Sequence, residues 1–191
     1  MKNAMIVVSG YLAAGKTTFA LKLSQTLGVP CFCKDLVKIA LGEHISIANR
    51  EDSKRLSRAT VEVMLHIADN CLRTNTPLIL EGNFRIADAD EISTLCRKYD
   101  CSALTFLFVG NSEILHRRFV SRESTSERHP VNRDFGPPIS RMEYDDYVKE
   151  LRDIKIPGET QIVDTTDFES VNYERLISKA GAFLGRDIRL A

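Results

Sequence analysis

No apolar run in the 191 residues approaches the roughly 18 that a membrane-spanning helix needs, so no transmembrane helix is expected. Excess charge of either sign is missing too: 26 Lys and Arg balance 26 Asp and Glu. A neutral chain has no overall field for gathering long nucleic acid or an anionic membrane surface, although local patches stay open. The partner to expect is a small molecule. The five cysteines, Cys31, Cys33, Cys71, Cys96 and Cys101, include no CxxC pair and no histidine at zinc-site spacing. They read as small buried hydrophobes. Cys31 and Cys33 make a poor redox couple, because alternate residues on a strand hold their Cα atoms at the outer limit for a disulfide. Internal repeats and low-complexity linkers are absent, and so is the [NT]KxD sequence that reads guanine, which counts against a GTP-driven switch. The first eight residues lack the length and cleavage pattern of a signal peptide, which gives a cytoplasmic location as the expectation. With 43% hydrophobic and 27% charged residues, residues 1–191 suffice for one well-packed domain.

Against these absences stands one strong motif. The apolar run Met5-Ile6-Val7-Val8 is followed by Gly10-Tyr11-Leu12-Ala13-Ala14-Gly15-Lys16-Thr17, and a helical pattern opens near Thr17. The stretch matches GxxxxGK[ST], the phosphate-binding P-loop. Its spacing has a physical reason. Glycines let the backbone wrap closely around an anion, the N–H groups at a helix start point at phosphate, and a lysine reaches the β and γ oxygens. Gly10, Ala13, Ala14, Gly15, Lys16, Thr17 and Thr18 are therefore the candidate contacts for ATP phosphates, with Lys16 also catalytic and the Thr17 hydroxyl on Mg²⁺. The bland alternative is a glycine-containing turn, and the strand-then-helix context counts against it.

Taken in order, the chain alternates strand and helix. A helix after the P-loop stops at Gly28 and Pro30, the expected punctuation. Residues 30–34 form a short strand and 36–41 a brief helix. Leu56, Ala59, Val63, Ile67 and Cys71 then repeat at helical spacing up to Asn75-Thr76-Pro77. Segments 78–80, 103–109 and 161–163 read as strands, and 89–98, 112–122 and 173–184 as helices. Strands that are continuously apolar, each followed by a helix, indicate an α/β architecture with a parallel sheet covered on both faces. Ligands of such sheets gather at the carboxyl ends of the strands. Those ends carry the P-loop, Asp35, Glu81, Asn111 and Asp164 in turn.

Asp35 has two readings. It can cap the helix 36–41, or it can be the general base that takes a hydroxyl's proton as the γ-phosphoryl group leaves ATP. Both hold at once if one oxygen caps and the other faces the cleft. Glu81 ends a strand of the kind that brings a carboxylate to Mg²⁺, with an ordinary ion pair as the alternative. Between 112 and 133 lie Arg117, Arg118, Arg122, Arg128 and Arg133 with His116 and His129. That run leaves a helix, passes through Glu123-Ser124-Thr125-Ser126-Glu127 and reaches Pro130 and Gly136-Pro137-Pro138. A lid over about 122–138 is the expectation. Its closure brings arginines onto the transferring phosphoryl group and excludes water, with Arg118, Arg122 and Arg128 as the candidate catalytic cations. Arg50, Lys54, Arg55 and Arg58 start the long helix; a solvated face is the plainer reading, a pocket for an anionic acceptor the sharper one. Asp145, Asp146 and Tyr147, in a helix beyond the lid, read as helix surface, with contact to substrate as the alternative.

Together, the P-loop, Asp35, Leu80-Glu81-Gly82-Asn83-Phe84, the series closing in Arg128-His129-Pro130, and Val163-Asp164-Thr165-Thr166 resemble a known group. The chain is similar to the small P-loop kinases of the AAA-type ATPase-like group, which includes polynucleotide 5′-hydroxyl kinases, chloramphenicol phosphotransferases, gluconate kinases and zeta toxins. The resemblance covers residues 5 to about 166. It implies a nucleoside-monophosphate-kinase-like sheet of five parallel strands in the order 2-3-1-4-5, with an arginine-rich lid. It also implies transfer of the γ-phosphate of ATP, with Mg²⁺, to a hydroxyl of a small-molecule acceptor. Asp35 matches the general-base position, and the loop carrying Asp164 and Thr165 falls where relatives contact adenine. Two departures count against a nucleotide acceptor. Lys38 stands where polynucleotide kinases carry Arg, and its point charge makes no bidentate phosphate contact. Glu81-Gly82-Asn83-Phe84-Arg85 replaces the Asp-Gly-Phe-Pro-Arg of nucleoside monophosphate kinases. The alternatives are a kinase of nucleotides or nucleic-acid 5′ ends and, from another class, an ATP-dependent switch or binding module.

Overall fold

Met5, Ile6, Val7 and Val8 are wholly buried because their strand runs mid-sheet with helices on both faces. The structure is a computed structural model and describes residues 3–125, 128–133 and 139–186. Its strands are β1 (Ala4–Gly10), β2 (Cys31–Cys33), β3 (Leu78–Glu81), β4 (Ser102–Val109) and β5 (Gly158–Asp164). All pair in parallel in the order β2-β3-β1-β4-β5, as the resemblance implies. The helices are α1 (Lys16–Leu27), α2 (Lys34–Gly42), α3 (Arg50–Arg73), α4 (Ile86–Lys98), α5 (Ser112–Glu123), α6 (Arg141–Arg152) and α7 (Tyr173–Leu184). Single 3₁₀ turns occupy Pro130–Asn132 and Phe168–Ser170.

Side chains of β1 alternate between two cores. Ile6 and Val8 pack with Phe19 and Leu23 of α1, Leu115 and Phe119 of α5, Tyr144 of α6 and Ile177 of α7. Met5 and Val7 pack on the opposite face with Met64 and Leu72 of α3 and Ile92 of α4. Phe19 meets Phe106 edge-on at 5.2 Å, an arrangement worth about 0.5–1.5 kcal/mol beyond the area buried. Buried Tyr144 donates its hydroxyl to the Leu12 carbonyl at 2.9 Å, which ties α6 to the P-loop.

Some boundaries differ from the sequence expectation, and each difference has a local cause. α3 does begin with its basic group, at Arg50, where the Asn49 side chain accepts the Asp52 N–H at 3.0 Å and caps a wholly polar first turn. α4 begins at Ile86, where the Asp88 carboxylate accepts the Arg85 N–H at 2.9 Å. β5 starts at Gly158, three residues before the expected 161, with residues 158–160 exposed on the sheet edge and carrying no apolar pattern. Ser126, Glu127 and Gly136-Pro137-Pro138 of the expected lid lie outside the described residues.

Candidate active site

The P-loop leaves β1 at Gly10, whose φ is +125° and where a Cβ would stand 2.0 Å from the Phe108 carbonyl oxygen. Gly10 is thus required by the neighbouring strand, not only by a ligand. The turn then passes through Ala13 at φ +58° and Gly15 at φ +81°, the N-cap of α1. No side chain caps α1, so the open N–H groups at its start are available to an anion. Lys16 is buried and donates its ammonium to the Tyr11 carbonyl at 2.6 Å. Burial brings its pKa down to about 8, with Glu81 and Asp35 pulling the other way.

Glu81 closes β3 inside the same cluster and is 3% exposed. Burial raises its pKa above the usual carboxylate range, while Lys16 and hydrogen bonds from Thr17 and Cys33 oppose that rise. Thr17 and Glu81 thereby place a hydroxyl and a carboxylate side by side. Two hard oxygen donors suit Mg²⁺, which takes few protein ligands and completes its shell with phosphates and water.

α2 starts at Lys34, two residues earlier than a cap at Asp35 would require. Cys33 is its N-cap, without a side-chain bond, and Asp35 lies within the first turn. Asp35 is therefore not the helix cap, and its carboxylate, 42% exposed, pairs with Arg128 Nη1 at 3.7 Å. The described part of the lid lies along α2. Asn132 donates to the Asp35 carbonyl at 3.2 Å, His129 Nε2 meets Glu43 Oε1 at 2.8 Å, and Val131 fills the space a Cβ on Gly42 would need, 2.5 Å from its Cγ2. Glu123 Oε1 stands 2.5 Å from Arg128 Nε and 3.6 Å from Arg122 Nη2. Arg122 has Arg128, Glu123 and Asp35 as its charged neighbours and is itself among those of Lys16; burial lowers its pKa. Its Nε is buried without a hydrogen-bond partner among the described residues. Lys16, Thr17, Asp35, Glu81, Arg122 and Arg128 thus come together.

Arg118 does not join them. It donates to the Thr165 and Thr166 carbonyls at 2.6 and 2.8 Å and stacks on the Phe168 ring at 4.0 Å. It therefore braces the loop between β5 and α7. Phe168 in turn lies 3.0 Å from where a Cβ on Gly15 would be, so this loop covers the P-loop's flank. Asp164 accepts the Thr166 N–H at 2.8 Å, and buried Thr165 donates its hydroxyl to the Val109 carbonyl at 3.0 Å. These two side chains shape the loop. Thr18 is exposed on α1.

The basic start of α3 is the solvated face of the plainer reading. Lys54 and Arg55 are 64% and 75% exposed and pair with Glu51 and Asp52. Ser53 alone reaches inward from this turn, accepting the buried Lys38 ammonium at 2.9 Å. Beyond the lid, Asp145 bonds Ser112 and Arg141, and Asp146 pairs with Lys149, as helix-surface groups do. Tyr147 is the exception, turned inward under Arg85 at 5.2 Å. Lys34 and Arg85, at the ends of β2 and β3, also belong to the site. Neither was singled out from sequence, although Lys34 adjoins Asp35 and Arg85 follows the strand-end Glu81.

Known structures share this fold. A proposed kinase from Chloroflexus aurantiacus superposes with a TM-score of 0.80 at 25% identity, over 96% of this chain and 99% of that one. The fold is that of the small P-loop kinases. Shikimate kinase from Bacteroides thetaiotaomicron follows at TM-score 0.60 and 15% identity, over 95% and 98% of the two chains. Gluconokinase from Sinorhizobium meliloti follows at 0.54 and 15%, over 96% and 92%. No protein-family model matches the sequence, and no curated protein matches it either. Within the kinase fold, the P-loop, Glu81 and the Arg122–Arg128 pair occupy one end of the sheet, where β1, β2 and β3 deliver their carboxyl ends. No helix among the described residues is long and apolar enough to cross a membrane.

Proposed function

We propose that the protein moves the γ-phosphoryl group of ATP to a hydroxyl of a small molecule, with Asp35 as general base. The observation that carries this reading is Asp35 itself: a half-exposed carboxylate, unused as a helix cap, held beside Lys16 and facing the lid arginines. A nucleotide switch has no need of a hydroxyl base and a phosphoryl clamp at one place.

In this reading the open N–H groups of α1 and the Lys16 ammonium hold the β and γ phosphates. Lys16 exchanges the Tyr11 carbonyl for phosphate oxygen. Thr17 and Glu81 would hold Mg²⁺, which supplies charge neutralisation at the phosphates when bound. Asp35 accepts the acceptor's hydroxyl proton. The acceptor oxygen forms its bond to the γ-phosphorus as the bond to the β–γ bridging oxygen breaks, leaving ADP and a phosphomonoester. Arg122, whose Nε has no hydrogen-bond partner among the described residues, and Arg128 stabilise the charge spread over the transferring group. Arg128 must release Asp35 for this, so substrate entry exchanges one ion pair for another. The loop braced by Arg118 flanks the nucleotide. Incubation with γ-labelled ATP and a panel of hydroxylated metabolites tests the reading: label passes to an acceptor, and the Lys16→Ala protein transfers none. Release of labelled inorganic phosphate alone, unaffected by any acceptor, contradicts it.

A further inference from the structure

Lys16, Arg122 and Arg128 already supply the cations that a transferring phosphoryl group requires. A second pair gathers at the exit of β3. Lys34 opens α2, and its Cβ lies 3.1 Å from where a Cβ on Gly82 would stand. Its ammonium is largely buried, and Asp88, Asp35, Arg85 and Glu81 are its charged neighbours. Among the described residues it makes no hydrogen bond and no ion pair within 4.0 Å. Arg85, at the start of α4, lays its guanidinium over the Tyr147 ring and stands 3.9 Å from Glu150 in an exposed pair. Tyr147 has Arg85, Asp35 and Asp88 around it. Lys34 of α2 and Tyr147 of α6 thus both neighbour Asp35, and Arg85, the N-cap of α4, neighbours the two of them.

An unpaired ammonium withdrawn from water costs free energy that a bound anion returns. Asp35 is among the charged neighbours of Lys34, so an anion on Lys34 and a hydroxyl at Asp35 can belong to one small molecule. We propose that the phosphoryl acceptor is a small anionic hydroxy compound, its oxyanion seated by Lys34 and Arg85 while a hydroxyl of the same molecule lies at Asp35. Tyr147 offers the acceptor an apolar ring face and a hydroxyl. Of the carboxylates nearby, Asp35 is paired with Arg128 and Glu81 faces Lys16, Asp88 offsets one of the two positive charges, and Glu150 is exposed and screened. The remaining charge suits a single carboxylate better than a dianionic phosphate. The inference rests on the kinase reading above.

The test uses Mg-ATP with matched probes: a neutral polyol, the sugar acid of the same chain length, and the polyol monophosphate. ADP release is followed for the wild-type, Lys34→Met and Lys34→Arg proteins. The acid stimulates release and the neutral polyol does not. Lys34→Met raises the acceptor KM by about 10- to 100-fold, the loss of one charge-assisted hydrogen bond, with a smaller change in kcat, and Lys34→Arg recovers most of it. A merely structural Lys34 would shift thermal stability without this KM split and without rescue by Arg. Stimulation by the monophosphate alone supports the oxyanion seat with a dianion in it. A neutral polyol used as well as the acid, or an acceptor KM unmoved in Lys34→Met, overturns the anionic assignment and leaves the kinase reading standing. If no probe stimulates ADP release while Mg-ATP still binds, both fall.

Discussion

Asp35 and Lys16 separate chemistry from binding at the level of single side chains. Asp35→Asn keeps the shape and removes the base, so transfer is expected to fall by about 10²- to 10⁴-fold with Mg-ATP affinity retained. Because Cys33 and not Asp35 is the N-cap of α2, thermal stability should change little, and a large fall in Tm with full activity would assign Asp35 to structure instead. Lys16 makes a pH prediction. Its pKa in the folded, ligand-free protein is about 8, against about 10.4 in an unfolded chain. Between those values the unfolded state binds more protons, so the stability of the free protein gains from Lys16 as pH rises through that window. Nucleotide binding runs the opposite way, because phosphate needs the ammonium form. Calorimetric titration with Mg-ATP from pH 7 to 9.5 should show affinity declining above pH about 8, at most about tenfold per unit; a flat profile would remove Lys16 from the phosphate contact. The Cys33 thiol is held neutral by its hydrogen bond to Cys31 and by burial, which push its pKa up, so it behaves as the small hydrophobe its sequence context suggests.

Two contacts between elements govern the site. The first is β1 against β4 at Gly10, where any Cβ meets the Phe108 carbonyl oxygen and the backbone is left-handed. Gly10→Ala is expected to cost about 2–4 kcal/mol, read as a lower midpoint in denaturant. An unchanged midpoint would show that β4 yields. The second contact is the lid against α2, where Val131 fills the space beside Gly42. Gly42→Val should hold the lid off α2 and raise the acceptor KM, and adding Val131→Ala in the same chain should restore it. Failure of that rescue would uncouple the lid from acceptor binding. At this scale the sequence was informative where periodicity carried the signal and silent where it did not. The lid's arginines were legible as a group, but nothing in their spacing distinguished Arg118, which braces the β5–α7 loop, from Arg122 and Arg128, which meet at Asp35. The start of α4 at Ile86, three residues ahead of the expected 89, rests on the Asp88 carboxylate that accepts the Arg85 N–H, a local bond that periodicity does not report.

The molecule as a whole converges on one end of its sheet. Central strands buried on both faces read as continuous apolar runs, which is why the α/β class and the parallel pairing could be expected in advance, whereas the strand order came from the family resemblance alone. The P-loop was legible because its geometry demands particular residues at fixed spacing. The acceptor side was legible only in Tyr147, weighed as a substrate contact beside the plainer surface reading: Lys34 and Arg85 come from elements distant from it in sequence, and only folding makes the three neighbours. The most direct measurement is acceptor-dependent ADP release from Mg-ATP across sugars, sugar acids, aminoglycosides, nucleosides and 5′-hydroxyl oligonucleotides. Wild-type, Lys16→Ala and Asp35→Asn proteins are to be compared side by side. Stimulation by a small hydroxylated acceptor, lost in Lys16→Ala and reduced about 10²- to 10⁴-fold in Asp35→Asn, is the predicted result. Tight Mg-ATP binding with release indifferent to every acceptor and to Asp35→Asn would contradict it.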